Sequence, residues 1–196
     1  VRGGSATTHF PIWHQEIEDI LVLKNNKGTE DNRVRKLDYS IQISELFYKR
    51  FINNQDISLF SPHDVDNLYD VFGSPEFDAL YEKYERNKKI PRKTINAQKL
   101  FMELLRERAE TGRIYIMNID HCNTHSSFKD KVYMSNLCQE ITLPTKPVQH
   151  IDDEEGEIAL CILSAINLGL IKDKEELEEL CDLSVRALDE IIDYQE

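Results

Sequence analysis

Asn136, Cys138 and Glu140 stand two residues apart in a stretch that runs from Ser135 to Pro147. In an extended segment side chains alternate between faces, so these three share one side at steps of roughly 7 Å. Leu137, Gln139 and Ile141 then face the other side. Helical spacing would instead place Cys138 across from the other two. Ile141 and Thr142 are β-branched and Pro144 cannot continue a helix, so an extended segment is expected. An amide, a thiol and a carboxylate on one edge can orient a substrate, react with it and take a proton. A further thiol, Cys161, lies in an apolar run, where a free cysteine is by default a small core hydrophobe.

Asn136-Leu137-Cys138-x-Glu140, followed by Leu143-Pro144-Thr145-Lys146-Pro147, resembles the finger loop of the large, catalytic subunit of class I ribonucleotide reductase. The likeness includes Gly156-Glu157-Ile158-Ala159-Leu160-Cys161 and the opening Arg2-Gly3-Gly4, and runs along nearly the whole chain. It implies an α/β fold, part of a ten-stranded α/β barrel with helices outside and the finger loop (about residues 135–147) through its centre. Residues 1–196 would then be an internal piece of that barrel domain, inactive alone.

The resemblance also implies roles. Cys138 would be the thiyl-radical residue that removes the ribose 3′-hydrogen and later returns it. Glu140 would take the 3′-hydroxyl proton as general base, and Asn136 would hold the hydroxyls with both donor and acceptor. Cys161 would be one of two thiols that reduce the substrate radical and end as a disulfide. Its partner would lie N-terminal to this chain, and Cys122 does not fill that place. Arg2, with Gly3 and Gly4, would belong to the loop coupling the effector site to the substrate base.

No cofactor is expected on this chain itself. The radical would come from a small subunit with a dinuclear metal centre. The other implied partners are a ribonucleoside diphosphate substrate, ATP and dNTP effectors, thioredoxin or glutaredoxin, and a second large subunit. A cobalamin-dependent class II enzyme shares the Asn-x-Cys-x-Glu core, but Asn25-Asn26-Lys27-Gly28 and Leu143 to Pro147 lean to class I. The anaerobic glycyl-radical class uses formate, whereas Glu140 with Cys161 belongs to dithiol chemistry. A different kind of reading is a non-catalytic metal-binding or interaction module built on His121, Cys122 and His125. Against it, a zinc site needs three or four ligands and no second pair at finger spacing is present.

Positioning these residues falls to a chain of 196 residues, enough for one domain with a sizeable core. Both ends look cut: no Met opens the chain, and the last residues read as helix. The formal net charge of -12 argues against a general nucleic-acid or anionic-membrane surface. Local loops can still bind a phosphorylated small molecule. No apolar run approaches about 18 residues and no signal-peptide pattern opens the chain. The four cysteines form no CxxC pair and read as cytosolic thiols.

Along the chain, residues 1–8 read as a small-residue loop and Trp13, Ile17, Ile20 and Leu21 as a helix face. Residues 24–35 read as a polar turn region. Strands are expected at 37–43, 57–60 and 113–118, and helices at 44–51 and 96–111, the latter ended by Gly112. Ser61-Pro62 and Ser74-Pro75 read as helix starts, residues 86–93 as a solvated basic linker, and His121 to His125 as a polar loop. Ile158 to Ile166 is almost wholly apolar, which suits a strand buried on both faces. Asp173 and Glu176 read as a capping box opening a final helix, with Cys181 in its apolar stripe.

Overall fold

Tyr39-Ser40-Ile41-Gln42-Ile43 alternates apolar and polar residues, and this strand is the centre of the fold. In the computed structural model, which describes residues 4–194, β2 (Asp38–Ile43) is flanked by two parallel partners. These are β1 (Thr7–Pro11) and β5 (Ile114–Asn118), giving the order β1-β2-β5. The chain divides into two units, Val1–Thr145 and Lys146–Glu196.

In the first unit, Ile41, Ile43 and Ile114 face a layer of helices: α1 (Ile17–Leu21), α2 (Glu45–Ile52) and α5 (Ala97–Thr111). Ile17, Leu21, Phe47, Leu100 and Leu104 pack there, all essentially inaccessible to solvent. Each such side chain contributes about 1.5–3 kcal/mol of burial. A second cluster gathers Trp13, Phe60, Phe72, Phe77 and Tyr81 with Met117 and Val132. It involves α3 (Leu68–Val71) and α4 (Phe77–Arg86). Arg50 of α2 donates two hydrogen bonds to the Glu85 carboxylate of α4, at 2.6 and 2.5 Å, tying those helices together.

The expected strands at 37–43 and 113–118 and the helices at 44–51 and 96–111 are found. Asn96 caps α5 by accepting from Gln98 and Lys99, and Gly112 ends it in the left-handed region, at φ 65°.

Other expectations change. β1 occupies part of what reads as loop and helix, because its β-branched and aromatic residues pair with β2 before the chain can wind. The helix that follows is confined to α1. Asp56–Leu59 is a strand, β3, but it pairs antiparallel with Lys93–Asn96, β4, which the basic run conceals. Helix α4 starts at Phe77 rather than directly after Ser74-Pro75, and the Ser74 hydroxyl instead donates to Glu76. His121 to Thr124 is helical, within α6 (Ile119–Thr124). Its Asp120 carboxylate accepts from Glu45 N and caps α2.

In the second unit, Asp153 accepts from Gln149 N, Glu155 N and Gly156 N, closing an acidic turn beside the Lys146–Glu157 bridge. Ile158 to Ile166 is not a strand. Leu160 is 60% and Leu163 75% exposed, because no described strand pairs with this segment. Asp173 does cap α7 (Lys174–Asp193) by accepting from Glu176 N at 2.8 Å. No side chain of α7 is buried, however, and Cys181 is exposed, so its stripe forms without a core to enter. Among the described residues three strands make the parallel sheet and the barrel is not closed.

Candidate active site

Register divides the residues of the parallel sheet between two faces. The rows Thr8–Tyr39–Ile114 and Phe10–Ile41–Ile116 turn to the helices. The rows His9–Ser40–Tyr115 and Pro11–Gln42–Met117 turn the other way. Ser40 and Gln42 are fully buried on that second face, where Tyr69 of α3 donates to Gln42 Oε1 at 3.4 Å and Met117 packs with Leu68 and Ile119. The segment from Lys131 to Ile141 also lies against this face.

Polar groups of the sheet satisfy this segment's backbone step by step. Asn123 of α6 accepts from Val132 N at 2.8 Å and donates to Val132 O at 3.0 Å. Gln42 Nε2 donates to Tyr133 O at 2.5 Å. His9 Nε2 lies 3.1 Å from Ser135 O, and Thr7 Oγ1 donates to Leu137 O at 2.5 Å. Gln139 bridges two strands, its Oε1 accepting from Ser40 Oγ at 2.5 Å and its Nε2 donating to Ile116 O at 2.6 Å. A buried backbone needs such partners, and here side chains of the sheet and of α6 supply them in place of a neighbouring strand.

The motif itself is not extended. Gln139 N donates to Asn136 O at 3.2 Å, so Asn136 to Gln139 form a turn. Gln139 sits at φ 62°, a left-handed conformation that costs a side-chain-bearing residue roughly 1–2 kcal/mol. Simple alternation of Asn136, Cys138 and Glu140 is therefore replaced by a tight turn, because sheet contacts to Leu137 and Gln139 outweigh local β preference. The turn leaves Cys138 and Glu140 exposed, on a loop whose underside is fastened.

Asn136 is partly committed to the loop. Its Oδ1 accepts from Ile141 N at 3.1 Å, while the single proton of the neighbouring Ser135 hydroxyl goes to Ile141 O. Its amide NH2 and a second lone pair of the oxygen are left over to meet a ligand.

Burial holds His9 below the ordinary histidine value, outweighing the opposite pull of the Ser135 contact, and its buried Nδ1 has no hydrogen-bond partner. A neutral ring that donates from Nε2 to Ser135 O fits both facts. The sign follows from linkage: with the folded-state value lowered, the unfolded chain takes up protons first as pH falls through about 6.5, and stability drops. His14 is lowered by burial too. In His9→Gln, the loss of thermal stability between about pH 7.5 and 5.5 should shrink, with the residue due to His14 remaining. An unchanged pH slope in thermal unfolding would show that His9 does not hold the loop as a neutral group.

A model of the ribonucleotide reductase barrel domain matches residues 1–196. The chain belongs to this family. Subunit alpha of ribonucleoside-diphosphate reductase from Buchnera aphidicola subsp. Schizaphis graminum is 60% identical over 200 residues, covering 100% of this chain and 26% of that protein. The Haemophilus influenzae subunit is 57% identical over 201 residues, with 100% and 27% covered. The Enterobacteria phage T4 subunit is 44% identical over 203 residues, with 100% and 26% covered. The chain thus spans about a quarter of the length of these curated relatives.

Within this reductase barrel segment, Asn136, Cys138 and Glu140 come together on one turn of the first unit. Cys161 lies in the second unit, in the irregular segment after Glu157, where it is exposed rather than buried in a strand. Arg2 and Gly3 lie outside the described residues, and Gly4 has open space where a Cβ would stand. Cys122 is half-buried and burial pushes its thiol up, away from the reactive thiolate.

Among the described residues, no three His, Cys, Asp or Glu side chains gather at a metal-binding spacing. His125 Nδ1 instead sits 3.2 Å from His121 O within the helix end. The supporting residues Thr7, His9, Ser40, Gln42 and Gln139 escape a reading of motifs. The one available signal is the polar alternation of β2, since Ser40 and Gln42 mark a face that must be covered by something polar.

Proposed function

We propose that this chain is the central barrel segment of the large subunit of a class I ribonucleoside-diphosphate reductase, reducing ribonucleotides to 2′-deoxyribonucleotides through a thiyl radical. The observation that carries it is the Asn136–Gln139 turn, which is fastened underneath and open above, with a thiol and a carboxylate exposed on it. The relatives are named subunit alpha of ribonucleoside-diphosphate reductase, which supports a diphosphate substrate and a further kind of subunit.

In this reading Cys138, as a thiyl radical, takes the 3′-hydrogen of the ribose, which makes the adjacent 2′ C–O bond labile. Glu140 accepts the 3′-hydroxyl proton while the 2′-hydroxyl, protonated by one thiol of the reducing pair, leaves as water. The second thiol hydrogen ends on C2′, and Glu140 gives its proton back to the 3′-oxygen. The Asn136 amide donates to a hydroxyl and orients the sugar. Cys161 and a partner thiol outside this chain supply two electrons and close to a disulfide, after which Cys138 returns its hydrogen to C3′. A dinuclear-metal small subunit is the proposed radical source, thioredoxin or glutaredoxin the reductant, and ATP and dNTPs the effectors, the latter acting through the loop that holds Arg2, Gly3 and Gly4. A second large subunit is the proposed oligomeric partner. No described helix is long and apolar enough to cross a membrane; a cytoplasmic location is part of this proposal.

The test is Glu140→Gln in the whole reductase with its small subunit. The variant keeps the shape and loses the base, so kcat should fall by about 10²–10⁴-fold with KM for the nucleotide little changed. Full activity in Glu140→Gln would remove the carboxylate from the proposed chemistry.

A further inference from the structure

The residue between the two exposed reactive groups does not face the substrate side. Gln139 spans two strands, receiving the Ser40 hydroxyl at 2.5 Å and giving its amide proton to Ile116 O at 2.6 Å. Ser40 itself is fully buried, so its hydroxyl is held in place by the packed sheet. The Gln139 backbone is in the left-handed region, which sets the direction in which the chain leaves Cys138 and enters Glu140. No other side chain between Cys138 and Glu140 could do this, since they are its immediate neighbours.

We propose that Gln139 is a positioning residue for the radical chemistry: its two hydrogen bonds hold the turn that sets Cys138 and Glu140 relative to the sugar. This rests on the reading of Cys138 and Glu140 given above. The tether acts on geometry rather than on affinity. Hydrogen abstraction and proton removal both require near-contact distances, and displacing a reacting group by about 1 Å can cost on the order of a hundredfold in rate. Substrate binding, spread over other parts of the nucleotide, should feel the change far less.

The experiment measures steady-state reduction by the whole reductase carrying Gln139→Leu, Ser40→Ala, both together, or Cys138→Ser. Gln139→Leu keeps the bulk and loses both bonds, so kcat should fall about tenfold to a hundredfold while KM stays within about twofold. Ser40→Ala, a milder change that spares the loop's own sequence, should lower kcat about threefold. The double variant should be no worse than Gln139→Leu alone, because the bond it removes is already gone, whereas a general folding defect would multiply the losses.

Wild-type kcat in Gln139→Leu, or losses that multiply in the double variant, would overturn the positioning role. If that happens while Cys138→Ser is inactive, the radical assignment still stands. Activity in Cys138→Ser would overturn both.

Discussion

Replacing Cys138 by Ser in the whole reductase is expected to leave less than about 10⁻⁴ of the wild-type turnover, a barrier increase of more than roughly 5.5 kcal/mol. A sulfur atom gives up hydrogen readily and takes one back from carbon at little cost, whereas a hydroxyl oxygen cannot be oxidised by the same source. Shape is nearly preserved, so the comparison isolates the chemistry. Cys138 is exposed on a turn whose hydrogen bonds run through Asn136, Leu137 and Gln139, none of them through the thiol. Folding and nucleotide binding should therefore persist, as ligand-dependent thermal stabilisation would show. Normal reduction by Cys138→Ser would end the thiyl assignment.

The second large effect is expected at Cys161→Ser. Removing a hydroxyl from carbon needs two electrons, and a dithiol supplies them by forming one S–S bond. With a single thiol left the bond cannot close, so sustained turnover should fall by at least about 10²-fold. The two cysteines differ in which step stops. In Cys161→Ser the first abstraction is intact, so a substrate deuterated at C3′ should still lose label to the protein without net reduction. In Cys138→Ser that loss should cease as well. Cys161 is exposed in the second unit, so substitution there leaves no cavity in a core. Wild-type multiple turnover in Cys161→Ser would remove it from the reducing pair.

Much of the scaffold could be read from local pattern. Helix α5 carries its own start in Asn96 and its own stop in Gly112, and both act as their chemistry suggests. Strand β2 announces two unlike faces through Ser40 and Gln42. The capping of α7 by Asp173 is equally local, since donor and acceptor lie three residues apart. In each case the deciding interaction spans one turn or one pleat, and residue type suffices.

Ile158 to Ile166 shows where such reasoning stops. Its composition suits a doubly covered strand, but coverage belongs to neighbours rather than to the segment. Among the described residues none supplies it, and Ile158, Leu160 and Leu163 are exposed. The stripe of α7 repeats the point: spacing produces the helix, while burial depends on what stands opposite.

What the amino-acid order offered by itself was an alternating α/β framework and, through its resemblance to a family, a candidate set of Asn136, Cys138, Glu140 and Cys161. Only the tertiary structure decided how that set is held. The turn at Asn136 to Gln139 and the left-handed Gln139 are held against a polar sheet face, while the Asn136 oxygen accepts from Ile141 N within the loop. Ser40 and Gln139 are separated by 99 positions. Local propensity favours an extended run there by a fraction of a kcal/mol per residue, and a set of buried hydrogen bonds to distant strands outweighs it.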